Sequence, residues 1–230
     1  MSCILNIETS TDVCSVCVSD NGECLFNKED HDGPNHAVRL GSFVDTALAY
    51  VERTERHIDG VAVSAGPGSY TGLRIGASMA KGVCYGLDVP LMAVPTLEVL
   101  CVPVLLGNDD MEDDAALCPM IDARRMEVYA AVYDRRLNVF RTVDADVVTN
   151  DTYAATLDER HVYFFGNGAA KCKSVITHPH ARFIDGVKPL ARFMFPLAEK
   201  RLAAGQTEDT AYFEPFYLKK FMAKKSKKLI

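Results

Sequence analysis

The chain has 230 residues, of which 48% are hydrophobic and 24% are charged, a composition that suits a globular protein with a sizeable core. Its net charge of -6 argues against a protein that coats nucleic acid with its whole surface. The charge is uneven, because residues 219–230 contain six lysines and no acid. Such a basic tail is more often a solvated end than a binding device, and direct contact with RNA stays an alternative.

The first eight residues have no basic residue before their apolar run and reach an acid at Glu8, which is not the pattern of a signal peptide. No uncharged apolar run approaches the roughly 18 residues of a membrane span. Most of the eight cysteines lie in apolar, strand-like runs, so we expect reduced thiols in a cytoplasmic protein. Cys14 and Cys17 have C-x-x-C spacing, but they share one strand-like run, which disfavours a redox or zinc role.

In the first half, three strand-like runs (3–8, 13–19 and 23–28) precede alternating helices and strands, and Asn21-Gly22 predicts a hairpin turn. Gly33-Pro34-Asn35 is typical of a helix start, with Asn35 as the cap, and an apolar stripe with helical spacing follows it. The later elements are a strand at 60–65, a helix at 71–87, a strand at 90–94 and a helix at 96–106.

The second half begins in the same way after an acidic stretch, so the chain divides into residues 1–106, an acidic loop at 107–116, residues 117–218 and the basic tail at 219–230. Three strands followed by mixed helix and strand, repeated twice, indicate two ribonuclease-H-like units in an α/β fold like that of actin and the sugar kinases. The predicted elements are strands at 117–122, 127–133, 137–143 and 162–166, and helices at 152–157, from near Gly168, and at 189–204.

A glycine-rich turn joins the strand at 60–65 to the next helix. Helix starts offer unpaired N–H groups, so this turn could be a nucleotide or phosphate loop, or a tight turn whose glycines serve packing. It lacks the Gly-Lys-Ser/Thr of a Walker loop, and Thr71 stands where a dinucleotide fingerprint needs its third glycine. The candidate loop residues are Gly66, Gly68, Ser69, Thr71, Gly72 and Arg74.

The helix after this turn carries small residues every four positions, and the first helix has a second apolar edge beyond its core stripe. Packing within the chain is the commoner use of a small-residue ridge, but the excess apolar surface favours a helix-bundle interface with another protein. The predicted interface residues are Leu40, Phe43, Val44, Ala47, Leu73, Gly76, Ala77, Ala80 and Cys84.

Acids end the first strand of each unit, at Glu8 and Asp122. In actin-like folds these positions flank the cleft, so the two acids could face phosphates or magnesium, or each could simply cap a turn. No histidine pair has the four-residue spacing that places two imidazoles on one helix face, since Leu40 follows His36. The residues therefore indicate no metal site and no catalytic residue.

Several stretches, in chain order, resemble those of the TsaB (YeaZ) family, and the resemblance spans essentially the whole chain. The glycine stretch and the Asp-Ala-Arg stretch are specific when found together. The stretches are Ile4-Leu-Asn-Ile-Glu-Thr-Ser10, Asn35-His36, Gly66-Pro-Gly-Ser-Tyr-Thr-Gly-Leu-Arg-Ile-Gly76, Pro95-Thr-Leu-Glu98, Ile121-Asp-Ala-Arg124 with Glu127-Val-Tyr129, and Glu214-Pro-Phe-Tyr-Leu218. This chain departs from the family at Glu8, where Asp is common, and at Lys219, which replaces Arg.

The resemblance implies the actin- and hexokinase-like (ASKHA) fold with a reduced second half. It also implies a non-catalytic scaffold role in attaching threonylcarbamoyl to the tRNA adenosine beside the anticodon. The scaffold would pair with the transferase TsaD through its first two helices, here about 35–51 and 71–87, and the ATPase TsaE would join them. The family implies contact with tRNA only through the complex, ATP or ADP with magnesium only at the level of the complex, and self-dimers through the same helices.

Two other functions are alternatives to the scaffold role. An ATP-dependent phosphotransferase could use the same fold with Asp122 near the phosphates, although the chain is short for two complete lobes. A metallopeptidase, the activity behind the family's older "glycoprotease" label, is disfavoured by the missing histidine pair.

Overall fold

The computed structural model describes residues 2–33 and 35–219. Most of the predicted basic tail, residues 220–230, and Pro34 of the predicted helix start lie outside the described residues. The described chain forms two five-stranded sheets, one from each half of the sequence.

The first sheet has the strand order β3-β2-β1-β4-β5. Its first three strands form an antiparallel meander, and β4 and β5 then add parallel to β1 through helical crossovers. The elements are β1 (Cys3–Glu8), β2 (Cys14–Asp20), β3 (Glu23–Asp30), α1 (His36–Arg53), β4 (Gly60–Gly66), α2 (Tyr70–Leu87), β5 (Leu91–Pro95) and α3 (Thr96–Gly107).

The second sheet has the equivalent order β10-β9-β6-β7-β8, again with a meander followed by parallel strands. The elements are β6 (Ala116–Asp122), β7 (Glu127–Tyr133), β8 (Val139–Val147), α4 (Ala154–Glu159), β9 (Val162–Phe165), β10 (Ala181–Ile184) and α5 (Phe195–Ala203). Where the first unit has the 18-residue helices α1 and α2, the second has the 6-residue α4 and a three-residue 3₁₀ turn at Ala170–Cys172. The predicted fold, with two ribonuclease-H-like units and a reduced second half, is confirmed.

Helices α3 and α5 connect the two units. Helices α1 and α2 cover one face of the first sheet, where Leu5, Ile7 and Val16 meet the apolar stripe of α1. Helix α3 is apolar around its whole circumference, because one side contacts the second sheet and another side contacts the first. Helix α5 belongs to the second half in sequence, but it packs on the uncovered face of the first sheet. The division into residues 1–106, 107–116 and 117–218 stays a prediction.

Several local predictions were wrong. The helix expected from near Gly168 is the short 3₁₀ turn, and the helix expected at 189–204 begins only at Phe195, after a separate 3₁₀ turn at Ala191–Phe193. Strand β10 was not predicted, and β6 begins at Ala116, one residue before the predicted strand. Asn35 occupies the cap position of α1, but its side chain makes no capping hydrogen bond.

Candidate functional site

The glycine-rich turn between β4 and α2 is held by the turn that follows β1. The N–H of Ser69 donates to the carbonyl of Ser10 at 2.6 Å, and the Ser69 hydroxyl caps α2 by accepting from the Gly72 N–H at 3.3 Å. A side chain at Gly68 would place its Cβ 2.3 Å from the same Ser10 carbonyl oxygen. Two N–H groups at this helix start are therefore already bonded within the chain.

The first two glycines of α2 are also explained by this contact. A Cβ at Gly72 would lie 2.1 Å from the Thr9 carbonyl oxygen, and a Cβ at Gly76 would lie 2.3 Å from the Thr9 hydroxyl oxygen. The Thr9 hydroxyl donates to the carbonyl of Gly72 at 2.8 Å. Helix α2 therefore needs these glycines so that its backbone can lie directly against the turn after β1. The structure favours the interpretation that the glycines of this stretch serve packing within the chain.

The remaining candidate loop residues do not converge on one empty space. Arg74 donates to the Tyr70 hydroxyl at 3.0 Å on the surface of α2, and Thr71 is exposed. Gly66 has φ +103°, a conformation that favours glycine, and a Cβ there would lie 2.6 Å from the Phe216 carbonyl oxygen. The predicted loop residues are neighbours in a turn, and whether any of them binds a nucleotide stays a prediction.

The closing stretch lies against the glycine turn. The Phe216 N–H donates to the Ala65 carbonyl at 2.7 Å, and the rings of Tyr217 and Tyr70 have centroids 4.8 Å apart. Lys219 forms an ion pair with Glu127 at the start of β7 in the second sheet. Three of the stretches that resemble the family thus meet in space, and the chain end links the glycine turn to the second unit.

The two predicted cleft acids have different surroundings. Glu8 is completely buried, and burial raises the pKa of its carboxyl group, against the opposing effect of hydrogen bonds from Ser10. Its Oε1 accepts from the Ser10 N–H at 2.6 Å, and its Oε2 has no hydrogen-bond partner among the described residues. Asp122 is exposed, accepts from the Arg124 N–H at 2.9 Å and forms an ion pair with Lys171. Each carboxylate therefore accepts a hydrogen bond from the backbone N–H two residues later, as expected if each acid caps a turn.

His36 lies under α2 and not on an open face. Its Nε2 is 2.7 Å from the carbonyl oxygen of Thr11, and its ring would contact a Cβ at Gly72. Leu40, one turn later, is 1% exposed and belongs to the core. Across residues 2–33 and 35–219, no group of three or more His, Cys, Asp or Glu side chains is arranged to hold a metal ion.

The predicted interface residues point mostly inward, which corrects the sequence interpretation. Eight of the nine are buried and only Phe43 is partly exposed, because the small-residue ridge of α2 faces the first sheet and the turn after β1. Side chains in the core cannot contact another protein. The buried eight are Leu40, Val44, Ala47, Leu73, Gly76, Ala77, Ala80 and Cys84.

The outward side of the same two helices carries a different surface, which the sequence analysis missed. A shallow, mainly apolar groove of about 770 Å³ runs between α1 and α2, and we call it the helix groove. Ser78, Gly82 and Gly86 form a second small-residue stripe along it, offset from the buried ridge. The repeat at every fourth residue was the signal that could have revealed this stripe. The groove is lined by Ala37, Leu48, Arg74, Ile75, Ser78, Met79, Gly82, Val83, Gly86 and Leu87.

Nothing in the described chain occupies the space over this stripe. A Cβ at Gly82 or Gly86 would meet no atom within 4 Å, in contrast to Gly72 and Gly76. Tyr85, beside the stripe, is 89% exposed. A glycine inside a helix costs about 0.5–1 kcal/mol relative to alanine. No contact within the described chain offsets this cost at Gly82 or Gly86. The geometry suits the close approach of another helix.

The duplicated sheets and their crossovers define a protein of the actin-like class of α/β folds. A family model described as "TsaD: tRNA N6-adenosine threonylcarbamoyltransferase" matches residues 32–227. Several similar proteins are called "tRNA threonylcarbamoyladenosine biosynthesis protein TsaB". The chain belongs to the TsaB family.

Two relatives and one solved structure illustrate the similarity. The Escherichia coli TsaB protein is 29% identical over 96% of this chain and 96% of its own length. The Bacillus subtilis TsaB protein is 32% identical over 62% of this chain and 61% of its own length. The structure described as "YeaZ from Pseudomonas aeruginosa" superposes with a TM-score of 0.78, at 24% identity, over 95% of this chain and all of that one, and supports the fold. No helix in the described part of the chain is long and apolar enough to cross a membrane.

Proposed function

We propose that this chain is a non-catalytic scaffold that binds a TsaD-type transferase through the helix groove and supports transfer of threonylcarbamoyl to the tRNA adenosine beside the anticodon. The outward stripe of Ser78, Gly82 and Gly86, which no described residue covers, carries this proposal. The half-buried Ile75, Met79 and Val83 flank the stripe and offer apolar contacts to an approaching helix.

The surroundings of the other candidate residues favour a scaffold over an enzyme. The N–H groups of Ser69 and Gly72 are bonded within the chain, so the glycine turn offers fewer free donors to a phosphate. Asp122 is paired with Lys171, and Glu8 is closed off from solvent. We therefore assign ATP or ADP with magnesium, the TsaE ATPase and the tRNA to the assembled complex in the cytoplasm.

The test is reconstitution of tRNA modification from purified components: the transferase, the ATPase, the enzyme that supplies threonylcarbamoyl-adenylate, and this chain. We expect modification to collapse when this chain is omitted, and this chain alone to modify no tRNA. Modification that proceeds equally well without it would contradict the proposal. Intrinsic ATP turnover that is abolished in Asp122→Asn would instead support the phosphotransferase.

The helix groove could also bind a second copy of this chain, because a small-residue stripe packs against itself as readily as against a partner. Sedimentation of the isolated chain distinguishes the two occupants when it is repeated with the transferase added. A homodimer that the transferase converts into a heterodimer would show that both occupants use the same surface. A homodimer that persists beside bound transferase would mean that the transferase uses another surface.

A further inference from the structure

Two cysteines on neighbouring strands of the first sheet lie within contact distance. The Sγ atoms of Cys17 in β2 and Cys24 in β3 are 3.0 Å apart. The pairing register brings them together: Val18 faces Phe26 and Ser19 faces Cys24, so the strands are offset by one residue at this point. Cys24 thereby lies diagonally opposite Cys17 on the same face of the sheet.

The C-x-x-C spacing had pointed to a different pair. Cys14 and Cys17 are three residues apart in one strand, so their side chains point to opposite faces of the sheet. Cys14 is part of the core beneath α1, whereas Cys17 faces the side on which the chain returns at 190–203. Cys14 therefore cannot reach Cys17 without breaking the strand.

The two thiols differ in the way that disulfide formation requires. Cys24 is exposed and Cys17 is buried. The hydrogen bond with Cys17, assisted by the nearby Arg192 guanidinium, lowers the pKa of Cys24 to about 7, against the opposing effect of burial. The same hydrogen bond, together with burial, raises the pKa of Cys17. Cys24 thus reaches the reactive thiolate form near neutral pH, and Cys17 is held beside it as a thiol.

We propose that a hydroperoxide oxidises Cys24 and Cys17 to a reversible disulfide that links β2 to β3. The Cys24 thiolate attacks one peroxide oxygen, the O–O bond breaks, and a sulfenic acid forms. The leaving hydroxide or alkoxide takes up a proton from solvent and is released as water or an alcohol. The Cys17 sulfur then attacks the sulfenic sulfur, and the hydroxyl group leaves as water with the Cys17 proton. Two thiols lose two electrons in total and the peroxide gains them, and a dithiol reductant reverses the change.

Little movement is needed to form the bond. A disulfide has an S–S length of about 2.0 Å, so the sulfur atoms must approach by about 1 Å, which rotation of the exposed Cys24 side chain can supply. The link lies where the returning chain is attached to the hairpin. Arg192 is paired with Glu29 at 3.3 Å, and the Gly22 N–H donates to Glu199 at 2.8 Å. The disulfide would therefore fix the hairpin beneath the contact between α5 and the first sheet.

The test is peptide mapping of the full chain after treatment with equimolar hydrogen peroxide and alkylation of the remaining thiols. Asp20 and Glu23 lie between the two cysteines, so a protease that cleaves after acidic residues separates them unless a disulfide joins the fragments. We expect a linked pair, residues 13–20 alkylated at Cys14 with residues 24–29, lighter by two hydrogen atoms than those two fragments together. Dithiothreitol should abolish this species.

Three variants assign the bond. Cys24→Ser and Cys17→Ser should each reduce the linked pair to background, whereas Cys14→Ser, in the same fragment as Cys17, should leave it unchanged. Because Cys24 is exposed, we expect Cys24→Ser to fold, and it therefore tests the proposal even if Cys17→Ser does not fold. The proposal is overturned if the oxidised chain yields only sulfinic acid at Cys24 or a disulfide between two copies of the chain, or if the link survives in Cys17→Ser.

Discussion

Two glycines of α2, six residues apart, are expected to respond oppositely to the same substitution. In Gly76→Ala, the new methyl group would lie 2.3 Å from the Thr9 hydroxyl oxygen, which is itself bonded to the Gly72 carbonyl. In Gly82→Ala, the methyl group would meet no atom within 4 Å. Comparison of the two variants distinguishes the glycines that this chain needs for its own packing from those that it leaves exposed.

The magnitudes follow from these contacts. Gly82→Ala should stabilise the isolated chain by about 0.5–1 kcal/mol, because alanine loses less backbone entropy in a helix than glycine does. In Gly76→Ala the same gain is outweighed by overpacking, which costs about 1–3 kcal/mol, and by loss of the Thr9 hydrogen bond, which is worth about 0.5–1.5 kcal/mol. We therefore expect Gly76→Ala to be net destabilising by about 0.5–4 kcal/mol.

The assay is urea unfolding of both variants beside the wild type, supported by thermal melting. For a chain of this size each kcal/mol shifts the melting temperature by about 2–4 °C, so the two variants should differ on the order of 5–15 °C. If Gly76→Ala is as stable as the wild type, Thr9 is not in contact with the helix and the packing account of the glycine stretch fails. If Gly82→Ala is destabilised, the stripe is covered within the chain and the helix groove is not open.

Further predictions concern buried charge. Burial raises the pKa of Glu8 above its value of 4.5 in the unfolded chain, so its contribution to stability is present below that pH and is lost as the pH rises towards the folded-state pKa. Glu8→Gln should therefore gain stability relative to the wild type as the pH rises above 4.5. Urea unfolding in which the free energy of unfolding of Glu8→Gln minus that of the wild type stays constant or falls as the pH rises would refute this. Asp146 is buried and accepts from Arg141 at 2.6 Å and from Tyr153 at 2.7 Å, so Arg141→Met, which leaves a buried acceptor without one partner, should destabilise by about 1–3 kcal/mol. Arg160→Met, which breaks an exposed ion pair with Glu159, should change the free energy of unfolding by less than about 1 kcal/mol, and equal effects of the two variants would contradict the account.

The sequence predicted the order of the elements well because strands and amphipathic helices have local signatures. The short apolar, strand-like runs that mark β1 and β7 gave their boundaries at Cys3–Glu8 and Glu127–Tyr133 as the structure has them. The start of α5 was misplaced although Pro196, which stands in its first turn, was a visible signal. Gly168 failed as a helix start because its N–H donates to the carbonyl of Met120 in β6 at 3.0 Å, which is a contact between distant residues.

The candidate site was harder to predict, for the same physical reason. Two small-residue stripes run along α2, and only the approach of Thr9 makes the one with Gly72 and Gly76 face inward. The Cys17–Cys24 contact depends on a one-residue shift in strand pairing, which leaves no mark in the spacing of the cysteines. Local periodicity identifies helix faces, but the neighbour that covers each face is set by tertiary structure.

The most direct test of the scaffold account is calorimetric titration of this chain with the TsaD-type transferase of the same organism. Gly82→Leu places a large side chain in the helix groove, and Gly107→Leu is its matched control, because Gly107 in α3 is also a helical glycine with nothing within 4 Å of its Cβ position. We predict that Gly82→Leu weakens binding by about tenfold or more, equivalent to about 1.4 kcal/mol, and that Gly107→Leu binds like the wild type. Equal, undiminished binding by both variants would contradict the assignment of the helix groove as the docking surface.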